Sequence, residues 1–151
     1  MALSPGDSPG LLLWHATLRW QRELAAVLTP LGLTHVQFVL LACAWWLNSQ
    51  GEHPNQMTLA RQAGTDVKMT SQVLRALEQK GLIGREVDPA DTRAKRLRVT
   101  DAGADLAPRA IAAVELADAR FFRPVALDEA LPLLRRLAHP EPETPPPAAP
   151  Q

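Results

Sequence analysis

Apolar residues recur with a helical period along most of this chain and change to a strand period in one stretch. Over residues 11–30, Trp14, Leu18, Trp20, Leu24, Val27 and Leu28 return at three- and four-residue spacings, with Arg19, Arg22 and Glu23 between them. That spacing predicts a helix, ended by Pro30 and Gly32. Thr34 and Gln37 have capping-box spacing, with Leu33 and Phe38 placed as a hydrophobic staple, so a second helix starts there and runs to about Asn48. Nearly every residue from Val36 to Leu47 is apolar, which predicts burial on most sides. After a loop at Gly51 to Pro54, two short helices are expected. Gln56 to Ala63 turns Leu59 and Ala63 inward, and Val67 to about Lys80 follows across Gly64-Thr65-Asp66. The period then changes. Residues 82–87 and 96–100 read as strands joined by a tip at Asp88-Pro89-Ala90-Asp91. A long helix from Asp101 to about Phe122 comes next, and Pro108 is expected to kink it away from the preceding elements. A last helix covers about Asp128 to Ala138. The expected order is α-α-α-α-β-β-α-α, a mainly α chain with one small β-hairpin.

Proline marks both ends. Residues 1–10 hold Pro5, Gly6, Pro9 and Gly10, and residues 139–151 hold six of the 14 prolines with no large apolar side chain. Both are expected to be disordered, which leaves 11–138 as one ordered domain. With 46% hydrophobic residues in 151, one sizeable core is affordable. No apolar run reaches the roughly 18 residues a membrane span needs. The N-terminus has no basic segment of the kind that opens a signal peptide. A soluble cytoplasmic protein with no membrane association is the expectation. One cysteine excludes a disulfide framework.

Charge changes the picture more than composition does. The chain is formally neutral, yet residues 55–100 carry nine basic side chains against five acidic, and the remainder carries seven against eleven. A positive middle between negative flanks is the footprint of a phosphate-binding face. Helix 67–80 explains how that face reads sequence. Advancing about 100° per residue, Val67, Met69, Thr70, Val73, Leu74, Ala76 and Leu77 fill one half of the helix. Lys68, Ser71, Gln72, Arg75, Glu78 and Gln79 fill a polar arc on the other side. Arginine and lysine suit guanine edges or phosphates, glutamine suits adenine, and serine suits either. Taken alone, the arc also fits a solvated outer face. The short helix before it and the basic hairpin after it give it the context of a helix-turn-helix.

The runs Leu33-Thr-His-Val-Gln-Phe38, Ser71-Gln-Val-Leu-Arg-Ala-Leu-Glu-Gln-Lys-Gly-Leu82, Asp88-Pro-Ala-Asp-Thr-Arg93 and Leu97-Arg-Val-Thr-Asp-Ala-Gly103 together resemble a MarR-type winged helix-turn-helix regulator over about residues 11–138. The resemblance implies a homodimer whose first and last helices, about 11–31 and 101–138, interlock. It implies a DNA-binding lobe over about 34–100 that places helix 67–80 in the major groove of a palindromic operator, and a repressor that responds to a small ligand. The candidate DNA contacts are Gln56 and Thr58 on the first of the paired helices, and Lys68, Thr70, Ser71, Gln72 and Arg75 on the second. The wing adds Asp91, Arg93, Lys95 and Arg96, with the aspartate expected to orient Arg93. Gln72 stands where many members have arginine and Ser71 where many have threonine, which leaves the operator sequence open.

The other chemistry-bearing residues carry less. His15, His35, His53 and His139 lack metal-ligand spacing, and neither metal nor cofactor is expected. No nucleophile–base pair is visible, so an enzyme is not expected. Cys43 has no cationic neighbour in sequence to lower its pKa and reads as an inert buried thiol. Trp14, His15, Trp20 and His35 are candidates for the wall of a pocket for a small aromatic effector, against the alternative of core and dimer packing. Two rival functions stay open at this point: a winged helix used as a protein–protein module, and a small-molecule-binding protein without DNA affinity.

Overall fold

The computed structural model describes residues 4–140. Six α-helices and one hairpin follow in the order α1 (Pro9–Leu28), α2 (His35–Ser49), α3 (Gln56–Ala63), α4 (Val67–Gln79), β1 (Ile83–Val87), β2 (Lys95–Val99), α5 (Asp101–Phe121) and α6 (Leu127–Ala138). The N-terminal segment is more ordered than its prolines imply. Pro5–Asp7 form a 3-10 turn, and Ser8 caps α1 with its hydroxyl while Pro9 occupies the first turn, where a missing N–H costs nothing. Residues 1–3 and 141–151 of the expected tails lie outside the described residues.

The caps follow the residue chemistry. Thr34 and Gln37 form the reciprocal capping box at α2. Gly64 ends α3 at φ 71°, and the Asp66 carboxylate accepts from the Met69 N–H to start α4. A leucine layer fills the space between the elements: Leu24 and Leu28 from α1, Leu40 and Leu41 from α2, Leu59 from α3, Leu74 and Leu77 from α4, and Leu97 from β2. Each such leucine contributes about 1.5–3 kcal/mol by leaving water. Trp46 is the exception to the predicted burial of α2 and stands half exposed.

The hairpin is antiparallel, with Ile83 opposite Val99 and Val87 opposite Lys95. Asn48, at the end of α2, locks it to the helices. Its amide donates to the Leu97 carbonyl at 3.3 Å, and its oxygen accepts the Val99 N–H at 2.9 Å. Thr100 then turns the chain into α5, accepting from the Gly103 N–H. Gly103 is required by contact, since a Cβ there would lie 2.1 Å from the Leu82 carbonyl oxygen.

Helix α5 runs through Pro108 as one element and does not leave the core behind it. Ala110, Val114 and Ala117, all beyond the proline, are buried against α1 and α2. The expected departure of this half therefore does not occur. On this half Val114 is core and Leu116 faces outward. Small residues at 107, 110 and 117 let α5 approach its neighbours closely. Helix α6 differs from every other α-helix in burying no residue.

Candidate nucleic-acid interface

Helix α4 has the polar face that its sequence predicts. Lys68, Gln72 and Arg75 are exposed, while Leu74 and Leu77 are fully buried beneath them. Gln56 from α3 joins Lys68, Ser71, Gln72 and Arg75 from α4, with Val67, to line one open groove of about 480 Å³. Five of the candidate contacts thus meet in one place. Thr58, half-buried in the first turn of α3, is not among the residues that line this groove, and its N–H donates to the Asn55 cap.

Two assignments on this helix change. Thr70 is completely buried, its hydroxyl donating to the Asp66 carbonyl and paired with Thr65 Oγ1 at 2.7 Å. It is a brace for the turn between α3 and α4 and is closed to DNA, because its direction points into the lobe along with Leu74 and Leu77. Val67 and Met69, assigned to the inward half, are 64% and 41% exposed. The first turn of α4 projects beyond the lobe, so the helical period does not decide burial there.

The surrounding charges divide into structural and free groups. Arg85 on β1 pairs with Glu78 of α4 and donates to the Gln56 amide oxygen at 3.3 Å, fastening the wing base to both helices. Lys80 donates to the Gly32 carbonyl at 2.6 Å and to Gln37 Oε1 at 2.7 Å, joining the end of α4 to the corner before α2. Neither role has a sequence signature, because the partners are 43 or more residues apart in the second case. Arg98 pairs across the hairpin with Glu86 at 3.5 Å. Lys68, Arg75, Arg93 and Lys95 stay exposed, with no ion pair among the described residues. Arg96 is half-buried, and its Nε has no partner among the described residues.

At the wing tip, Asp91 acts on Arg93 through the backbone. Its carboxylate accepts the Arg93 main-chain N–H at 3.0 Å, and the Asp91 carbonyl accepts from Ala94. Asp91 thus makes an Asx-type turn beneath Arg93, and no ion pair joins its carboxylate to the Arg93 guanidinium among the described residues.

The proposed effector wall is only partly assembled. Trp20 and His35 meet edge to face at a centroid distance of 5.0 Å, and the Trp20 indole N–H donates to Asp118 Oδ1 at 2.7 Å. Trp14 and His15 remain exposed on α1 and do not join them. Asp118 was invisible in the sequence, since α5 brings it to Trp20 from 98 residues away. Burial pushes the His35 imidazole below its ordinary pKa, partly opposed by the Asp118 carboxylate. Burial raises the Cys43 thiol, which lowers its thiolate fraction and fits an inert role.

Two helices across a tight turn, an exposed polar face on the second, and a basic antiparallel wing define a winged helix-turn-helix protein. The MarR family model matches residues 33–95. Over 118 residues the chain is 42% identical to the uncharacterized HTH-type transcriptional regulator YdcH of Bacillus subtilis, covering 78% of this chain and 80% of the relative. It is 36% identical over 115 residues to the HTH-type transcriptional repressor Rv2887 of Mycobacterium tuberculosis, covering 76% and 80%. Among solved structures, CouR from Rhodococcus jostii RHA1 bound to p-coumaroyl-CoA superposes with TM-score 0.79 at 27% identity, over 95% of this chain and 100% of that one. CouR bound to a 23-mer DNA duplex superposes with TM-score 0.76 at 29% identity, over 91% and 97%. The chain belongs to the MarR family of transcriptional regulators.

Proposed function

We propose that this chain works in the cytoplasm as a homodimeric repressor that binds a palindromic operator and is released by a small ligand. The observation that carries this reading is the groove in which Gln56, Lys68, Ser71, Gln72 and Arg75 converge on the exposed face of α4. Hydrogen-bonding side chains on a helix can read base edges in the major groove, and the exposed cations of α4 and the wing supply phosphate affinity. Arg93, Lys95 and Arg96 reach the flanking backbone or minor groove, with Asp91 holding the tip in shape. The DNA-bound neighbour and the repressor name of the Mycobacterium relative support the assignment. No single helix among the described residues is long and apolar enough to cross a membrane.

The dimer is formed by α6 with the outer faces of α1 and α5. Leu127, Leu131, Leu133, Leu134 and Leu137 are all exposed on α6, and Leu12, Leu13 and Leu116 are exposed on its neighbours in the interface. A two-fold contact buries them and sets the separation of the two α4 helices. The ligand enters where α1, α2 and α5 meet, with Trp20, His35 and Asp118 as the group that senses it. The p-coumaroyl-CoA bound to CouR supports an aromatic or acyl ligand of this kind. A rigid dimer matches half-sites only at about 34 Å or its multiples, so a small change in spacing releases DNA.

Selection of bound fragments from the source genome, followed by gel shift on the winning fragment, tests the reading. Enrichment of a palindrome with two half-sites supports it. Binding that does not distinguish the winner from unrelated duplex of equal length would overturn it.

A further inference from the structure

Val67 opens α4 with a β-branched apolar side chain that is 64% exposed, on a helix whose other groove-lining residues are polar. It occupies a junction. On one side it lines the reading groove with Gln56, Lys68, Ser71, Gln72 and Arg75. On the other it closes a smaller hollow of about 160 Å³ with Gln56, Met57 and Ala60, whose walls are apolar apart from the glutamine. Met57, in the first turn of α3, is itself 63% exposed, so the first turns of α3 and α4 together present an apolar step that shares Gln56 and Val67 with the polar groove. The first residues of a recognition helix are the ones that come closest to base edges. In the major groove the one apolar feature of a base pair is the C5-methyl group of thymine, which is read by apolar side chains and not by hydrogen bonds. The hollow is roomy enough for a methyl group.

We propose that Val67, backed by Met57 and Ala60, reads a thymine methyl group in each half-site, beside the bases read by Ser71, Gln72 and Arg75. This rests on the DNA-binding assignment above and adds a specificity-determining residue to it. The polar arc of α4 then supplies hydrogen-bonded readout, and its first turn supplies shape and methyl readout.

Replacing thymine by deoxyuridine removes the methyl group and leaves base pairing unchanged. Each thymine of the selected operator is replaced in turn, and the Kd is measured at fixed salt for the full chain and for Val67→Ala, Val67→Ile and Arg75→Ala. One or two positions per half-site are expected to weaken wild-type binding about threefold to fivefold, the worth of one methyl group leaving water. The same positions should have no effect on Val67→Ala, which keeps its fold because the site is exposed. Val67→Ile and Arg75→Ala should keep the sensitivity. Wild-type binding that ignores every methyl deletion, or a Val67→Ala variant that senses the same positions as wild type, would overturn the inference and leave DNA binding standing. Failure of the wild-type chain to prefer any operator would overturn both together.

Discussion

The winged lobe and the terminal helices treat their apolar surface in opposite ways. In the lobe, Leu40, Leu41, Leu59, Leu74, Leu77 and Leu97 are fully buried, and polar side chains such as Asn48, Lys80 and Arg85 fasten one element to the next. Helix α6 has the same leucine-rich composition, yet Leu127, Leu131, Leu133, Leu134 and Leu137 all face outward. An open hollow lined by Leu133, Arg135, Arg136, Leu137, His139 and Pro140 lies along it. The lobe buries its leucines within one chain, and Met57, Val67 and Met69 stand exposed at the first turns of α3 and α4. Helix α6 does not bury its leucines, which is the physical case for a second copy.

Removing that region should produce the largest effect. Deletion of residues 126–151 is expected to give a monomer or aggregate whose operator affinity falls by about 10²–10⁴, the usual loss when two linked half-site contacts become one. Deletion of 140–151 alone should leave dimer and affinity unchanged. Light scattering with a gel shift on both truncations checks this. Within the lobe, Gly103→Ala forces a Cβ onto the Leu82 carbonyl and should cost about 1–3 kcal/mol of stability in thermal unfolding. A variant as stable as wild type would show that α5 can lift off the Leu82 backbone freely.

The reading face should respond without loss of fold. Arg75→Ala is expected to lower specific operator binding by roughly 1–3 kcal/mol while the Tm stays put. A fall in Tm instead would place Arg75 in the structural class with Arg85. On the wing, Arg93→Ala should weaken binding to all sequences alike and reduce the salt slope by about one phosphate. Asp91→Ala should give a milder version, because it frees the turn under Arg93 without removing the charge. Tighter binding by the Asp91 variant would mean that the carboxylate acts as simple repulsion.

The smallest effect concerns His35. Its folded pKa lies below the ordinary value, so the unfolded chain takes up the proton first as pH falls. Its contribution to stability is present above about pH 6.5 and is lost on acidification below that. Between pH 7.5 and 5.5 the Tm of wild type should drop more than that of His35→Asn. Equal drops would show that the imidazole is as well solvated as a free histidine.

Most of the lobe was legible because its signals are local. The capping box at Thr34, the Gly64–Asp66 turn and the strand period around Arg96–Val99 each lie within a few residues. The buried Thr70 was misplaced among DNA contacts because a hydroxyl on an apolar arc looks available until its bonds to Asp66 and Thr65 are seen. Val67 and Met69 were misplaced the other way, since periodicity gives direction around a helix and not how far its first turn protrudes. Asp118, Lys80 and Asn48 depend on partners from other elements, and no local pattern announces such pairs. Pro108 misled for a different reason: the small residues around it, Ala107 and Ala110, let α5 stay packed on its neighbours.

Sedimentation of the full-length chain with its selected operator duplex tests most directly whether the exposed leucines of α6 and α1 exist to join two reading lobes. Two chains per duplex, bound together across the titration, is the expected result. A single chain bound per duplex at saturation, with the free protein monomeric at micromolar concentration, would contradict it.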